Sequence, residues 1–176
     1  MAKQKKTSQS SYVTMTELVL PNDTNTLNNL MGGRLMHWMD IVTAIAAQKH
    51  SNRIVVTASA DNISFKKPIQ LGDVVTLEAK VTRAFSSSME VYVEVFAENI
   101  PSGTKFKSHS AFFTFVAVDQ GGRPIDVPEL VPETDEEKEL YAGALRRRQL
   151  RLVLAKRMEA EDATELKNLF FDPRKR

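Results

Sequence analysis

Polar and apolar residues alternate through the middle of the chain. In "DVVTLEAKVTRAF" (residues 73–85), Val75, Leu77, Ala79 and Val81 fall on one face and Thr76, Glu78, Lys80 and Thr82 on the other. "SMEVYVEVFAENI" (88–100) repeats this, with Met89, Val91, Val93 and Val95 opposed to Glu90, Tyr92 and Glu94. A period of two with one polar face predicts antiparallel strands. "RIVVTASADNISF" (53–65), rich in β-branched residues, and "KFKSHSAFFTFVAVD" (105–119) are two further runs. Turn signals separate them at "QLGD", "PSG" and "QGG". "YVTMTELVLP" (12–21) alternates more loosely and predicts a first strand, ended by Pro21. "NDTNTLNN" (22–29) has the side chains that bond their own backbone in loops and caps.

The pattern changes over roughly residues 30–49, where Leu35, Met36, Trp38, Met39, Ile41, Val42 and Ile45 occupy most of a helical circumference. A helix that is apolar nearly all round is expected to be buried. At about 1.5 Å per residue it spans close to 30 Å. One long buried helix followed by long antiparallel strands predicts an α+β fold, with a curved sheet wrapped around the helix. Residues 1–11 ("MAKQKKTSQSS") read as a disordered tail, and 12–128 as the folded domain. Residues 129–176 read as a helical extension. It opens on a capping box from Thr134 to Glu137, with acidic residues first and basic ones later, as the helix dipole favours.

Composition narrows the class. The chain has 176 residues, 42% hydrophobic and 26% charged, with net charge +2, too small to argue for nucleic acid. It has no cysteine, which excludes disulfides, thiolate metal sites and a cysteine nucleophile. This fits a reducing cytoplasm, the expected location. The basic start has no apolar run behind it and does not read as a secretory signal. No stretch reaches the roughly 18 uninterrupted apolar residues of a membrane span.

Two features of the apolar helix carry candidate chemistry. Asp40 sits in its middle, and an ionised carboxylate there is expensive unless compensated. It either surfaces or pairs with a partner such as Arg34, or it lines a cleft as base or nucleophile. Gly32 and Gly33 sit near the helix start. There, unpaired N–H groups and the dipole stabilise a developing negative oxygen; tight packing against the sheet is the alternative role. Carboxylate and helix start lie about 10 Å apart along one helix. A single copy therefore does not readily bring both onto one carbonyl, whereas two facing copies can. His37 reads as packing or interface, His50 as a helix-end residue and His109 as a structural strand residue.

The segments "PNDTNTLNNLMGGRLMHWMD", "VVTASADNISFKKPIQLGD", "VTRAFSSSMEVYVEV" and "SAFFTFVAVDQGGRPIDVPELVPET", with the later "RRR", resemble the hotdog-fold acyl-CoA thioesterases of the acyl-CoA hydrolase type. The resemblance covers about residues 13–151. It implies a hotdog fold, dimers often assembled as trimers of dimers, and hydrolysis of medium- or long-chain fatty acyl-CoA without metal or cofactor. It implies a catalytic pair formed by Asn25 of one protomer and Asp40 of its partner, with both members in this one chain. The oxyanion would meet the backbone of Gly32 and Gly33. The family's CoA contacts carry over to Ala58, Ser59 and Ala60, to Ser87, Ser88 and Met89, and to Arg147 and Arg148. An acyl chain needs an apolar channel, for which Trp38, Met39 and Phe65 are the candidates, although plain core is the preferred reading of these three.

Two rivals remain at this level. A hotdog hydratase or dehydratase needs a His with a carboxylate, but no His precedes the helix. A non-catalytic acyl-CoA sensor, or an RNA-binding module built on "RRRQLR", is the other. The strands lack the aromatic pattern of a base-stacking platform.

Overall fold

The structure, a computed structural model, describes residues 4–61, 63 and 67–171. It divides into two compact units, residues 1–131 and 132–176. The first unit holds β1 (Lys5–Thr7), β2 (Val13–Leu18), α1 (Gly32–Ser51), β3 (Ile54–Asp61), β4 (Val74–Ala84), β5 (Ser88–Asn99), β6 (Thr104–Val118) and β7 (Glu129–Val131). Five strands form an antiparallel sheet in the order β2-β4-β5-β6-β3. α1 packs across all five.

Alternation holds on the apolar face, but on the predicted polar face Thr82 and Glu90 are buried, where the β4–β5 register slips between Val81 and Arg83 and Thr82 Oγ1 donates to Glu90 Oε1 at 2.7 Å. Val75, Leu77, Ala79 and Val81 of β4 and Val91, Val93, Val95 and Ala97 of β5 are buried, as are Ala111, Phe113, Phe115 and Ala117 of β6. They meet Leu35, Trp38, Met39, Val42, Ala46 and Ala47 of α1, all buried. The helix starts after Met31 and ends at Asn52, whose left-handed backbone terminates it.

α1 departs from expectation on its other side. Met36, Ile41 and Ile45 are 37–40% exposed, with Gly33 and His37 exposed beside them. One sheet covers only one side of a helix, so an all-round apolar helix keeps a second face that its own unit leaves open. β3 is an edge strand, with Ile54 and Val56 exposed.

Residues 5–11 also differ from the predicted tail. β1 runs parallel to β7, and Ser8 and Ser11 are buried. Ser8 Oγ donates to the Val81 carbonyl at 2.6 Å, and Ser11 Oγ accepts from Val81 N–H at 2.9 Å. Small hydroxyl side chains replace the apolar signal that a sequence pattern needs. β7 accordingly lies in the first unit rather than in the extension.

In the second unit, α2 (Asp135–Leu154) starts at the predicted capping box, with Thr134 Oγ1 accepting from Glu137 N–H at 3.2 Å. A shorter helix, α3 (Thr164–Phe171), follows, and its Leu166 N–H donates to Gln149 Oε1 at 3.0 Å. Among the described residues no helix is long and apolar enough to cross a membrane.

Candidate active site

The loop before α1 is tied down by an aspartate. Asp23 is buried; its Oδ1 pairs with Arg34 Nε at 2.8 Å and its Oδ2 accepts from Leu20 N–H at 3.0 Å. Its carbonyl accepts from Met31 N–H at 2.9 Å. Arg34 is thus engaged by Asp23, not by Asp40.

Asn25 follows in a tight loop closed by its own N–H, which donates to Asn29 O at 2.9 Å. Asn28 there has φ of 58°, a left-handed conformation that Asn tolerates well. The Asn25 side-chain oxygen accepts from Leu27 N–H at 2.9 Å and Asn29 N–H at 3.1 Å. Backbone N–H groups only donate, so these contacts assign the amide orientation and make NH2 the outward-facing donor.

A cavity of about 330 Å³ opens beside this loop. Asn25, Asn29, Leu30, Gly32, Leu35, Lys67, Pro68, Ile69 and His109 line it. Gly32 and Gly33 form the first turn of α1, whose N–H groups no preceding helical turn can pair. The cavity thus combines an amide donor and a helix start with apolar walls. For Trp38 and Met39 the preferred core reading holds. Trp38 and Met39 are buried in the core and do not line the cavity, while Leu30, Leu35 and Ile69 do. Phe65 lies outside the described residues.

His109 is a cavity residue that alternation alone did not reveal. Opposite Val95 and Phe96 the register slips, leaving Ser108 as an extra residue on β6. The bulge returns Lys107 to the outer face, where it pairs with Glu94, and leaves both Ser108 and His109 buried. Ser108 Oγ donates to Lys67 O at 3.1 Å and lies 2.6 Å from His109 Nδ1. With the one hydroxyl proton engaged by Lys67, the Nδ1–H tautomer satisfies both contacts. Burial lowers the His109 pKa and keeps the ring neutral.

Asp40 stands apart from that cavity, half-buried on the outward face of α1 among Met36, Ile41 and Ile45. Its Oδ1 accepts from Thr57 Oγ1 at 2.8 Å. The register of β3 against β6 shifts between Thr57 and Ser59, leaving Ala58 as an extra residue beside this contact. Thr57 is a site residue that sequence reasoning missed. The period-two pattern of "VVTASAD" assigns it to a face but does not show that it meets a carboxylate 17 positions earlier. One protomer therefore keeps Asn25 and Gly32 at the cavity and Asp40 elsewhere on the same helix.

The remaining predicted contacts are dispersed. Ala58 and Ala60 are exposed and Ser59 half-buried on β3. Ser87 and Ser88 form the β4–β5 turn, with Ser87 O accepting from Ala117 N–H at 2.8 Å and Ser88 O from Phe85 N–H at 2.8 Å. Met89 is fully buried within one protomer, between its neighbours Ala84 and Phe115 in the sheet. Arg147 and Arg148 are half-buried on α2. Burial, then Arg151 and Arg157 nearby, lower the Arg148 pKa, which marks a concentration of positive charge. Among the described residues no three His, Asp or Glu side chains cluster as metal ligands.

A family model for the thioesterase superfamily matches residues 27–104. The chain is 45% identical over 139 residues to the uncharacterized acyl-CoA thioester hydrolase YkhA of Bacillus subtilis, covering 79% of this chain and 81% of that one. It spans 24–35% of several mammalian acyl-CoA thioesterases that it matches. A hexameric acyl-CoA thioesterase superposes with a TM-score of 0.83 at 41% identity, over 86% of this chain and 97% of the other. The acyl-CoA hydrolase of Staphylococcus aureus, solved with butyryl-CoA and CoA, superposes with a TM-score of 0.80 at 37% identity, over 86% and 94%. That hydrolase was also solved with single alanine replacements of an asparagine, an aspartate and a threonine. These are spaced 15 and 17 residues apart, as Asn25, Asp40 and Thr57 are here.

Proposed function

Because the chain belongs to the hotdog-fold acyl-CoA thioesterases of the thioesterase superfamily, we propose that it hydrolyses fatty acyl-CoA to free acid and CoA at a site shared between two copies. The observation that carries this reading is the separation, within one protomer, of the cavity lined by Asn25 and Gly32 from the Asp40 carboxylate. The exposed apolar stripe around Asp40 and the open edge of β3 are surfaces that a second copy would cover. A dimer that sets one α1 against the other brings Asp40 of one protomer toward the cavity of its partner. A hexamer built from three such dimers is the assembly that the hexameric relative suggests.

The mechanism follows from each residue's chemistry. The thioester carbonyl lies in the cavity, its oxygen toward the Gly32 and Gly33 N–H groups, where negative charge develops on attack. The Asn25 NH2 donates to the carbonyl oxygen or to the attacking water. Asp40 takes the proton of that water as it attacks, or attacks the carbonyl itself to form an acyl anhydride that water then hydrolyses; on either route the C–S bond breaks and CoA leaves, protonated to its thiol by the proton that the water gives up. Thr57 orients the carboxylate. The CoA portion runs along Ala58, Ser59 and Ala60 and along Ser87 and Ser88. In the second unit, Arg147 and Arg148 are the residues that the family resemblance assigns to phosphate oxygens, through forked, charge-assisted bonds. The acyl chain of a medium- or long-chain substrate enters between Leu30, Leu35 and Ile69.

The test is incubation with decanoyl-CoA and a thiol-reactive dye. Stoichiometric release of free CoA supports the proposal. Binding without release would leave a sensor, and thioester-retaining hydration of trans-2-decenoyl-CoA, offered in parallel, would leave a hydratase.

A further inference from the structure

We infer that Gly143 is a positioning residue for Arg147, present so that the arginine's guanidinium lies folded back along α2 where it meets the CoA phosphates. The inference rests on the reading of Arg147 as a CoA contact.

Gly143 sits in the interior of α2 and is buried. Glycine is among the poorest residues for a helix interior, because it surrenders the most backbone freedom there. Its backbone here is ordinary helix and not left-handed, so conformation does not demand glycine. Space does. A Cβ at this position would stand 2.5 Å from Arg147 Nη1, 3.4 Å from Cζ and 3.6 Å from Nη2. Helical side chains lean toward the N-terminus, so the residue at i+4 covers residue i. Arg147 goes further, passing over Gly143 to donate from Nη2 to the Leu140 carbonyl at 2.7 Å.

The obstructing atom is the far end of a flexible side chain. An alanine at 143 would therefore push the guanidinium aside rather than break the helix. In the native chain the fork is localised before any anion arrives, and less rotamer freedom is lost on binding. Arg148, Arg151 and Arg157 add positive potential around it.

The test is Gly143→Ala in the full chain, with steady-state kinetics on decanoyl-CoA and on the decanoyl thioester of pantetheine, which lacks phosphates. KM for decanoyl-CoA should rise about five- to ten-fold, close to the tenfold that 1.4 kcal/mol represents. Turnover at saturation and kinetics on the pantetheine thioester should not change, and Tm should not fall. Arg147→Ala should raise the same KM, and the double variant should add nothing beyond it. A raised KM in Arg147→Ala beside an unchanged one in Gly143→Ala overturns the Gly143 inference alone. An Arg147→Ala variant with wild-type KM overturns the CoA role of Arg147 and the inference with it, leaving the hydrolase assignment standing. A Gly143→Ala variant that loses Tm, and turnover on both substrates equally, assigns the glycine to packing and also overturns the inference.

Discussion

Thr57 Oγ1 donates to Asp40 Oδ1 at 2.8 Å, joining the edge strand β3 to the outward face of α1. A hydroxyl bonded to a carboxylate holds it in one rotamer, and a hydrogen bond to a charged group contributes about 1.5–3 kcal/mol. Thr57→Val keeps the β-branched shape and removes the donor. We expect kcat to fall roughly ten- to hundred-fold with KM little changed. A variant with wild-type kcat would show that the contact does not orient the carboxylate for reaction.

Asp40→Asn should abolish hydrolysis while leaving the fold and assembly intact, as judged by circular dichroism and gel filtration. The shared site adds a stricter expectation. Asn25→Ala and Asp40→Ala protomers, each inactive, should recover part of the wild-type turnover when mixed under conditions of proven subunit exchange. Each mixed dimer then holds one complete site. Persistent inactivity after exchange would contradict a site built from two copies.

The exposed stripe on α1 should be an interface. Ile45→Glu places a charge among Met36, Ile41 and its symmetry mate. Sedimentation velocity should show smaller species than wild type, and hydrolysis should drop in parallel. An unchanged sedimentation coefficient would place the contact between copies elsewhere.

Asp23 fastens the loop that carries Asn25. Asp23→Ala leaves Leu20 N–H without its acceptor and releases Arg34. The expected loss is about 2 kcal/mol, moderated because Arg34 is partly solvated. Urea unfolding should show the lower midpoint, and KM should rise as the loop loosens.

Two buried histidines impose a pH dependence on stability. His50 Nε2 donates to Pro128 O at 2.9 Å, while its Nδ1 is buried without a hydrogen-bond partner among the described residues. Burial lowers its pKa below 6.5, nearby Lys6 pushes it the same way, and the Pro128 bond opposes them. Burial lowers that of His109 as well. Just below pH 6.5 the unfolded chain therefore binds more protons than the folded one. Stability is full above that value and declines as pH falls through it toward the folded-state pKa values. Thermal melts from pH 8 to pH 5 should show Tm falling most steeply below about pH 6.5, with a shallower fall in His50→Asn. Equal slopes would clear His50 of a part in the acid sensitivity.

Much of this architecture is written locally. Period-two alternation in residues 73–85 and 88–100, the all-round apolar helix, the turn residues and the Thr134–Glu137 capping box each constrain a few neighbouring residues. Those constraints are sufficient to specify strands, helix and cap. The family resemblance added Asn25 and Asp40 as an expected pair across two copies.

Other features depend on residues far apart in the chain. The bulge at Ser108 turns His109 toward the cavity, the bulge at Ala58 lies beside the Thr57–Asp40 contact, and Ser8 and Ser11 tie residues 5–11 to Val81. Bulges and hydroxyl contacts change register and side-chain partners without altering the hydrophobic pattern that a sequence displays. Which face of α1 the sheet covers, and which it leaves open around Asp40, was decided only when the five strands closed on one side of the helix.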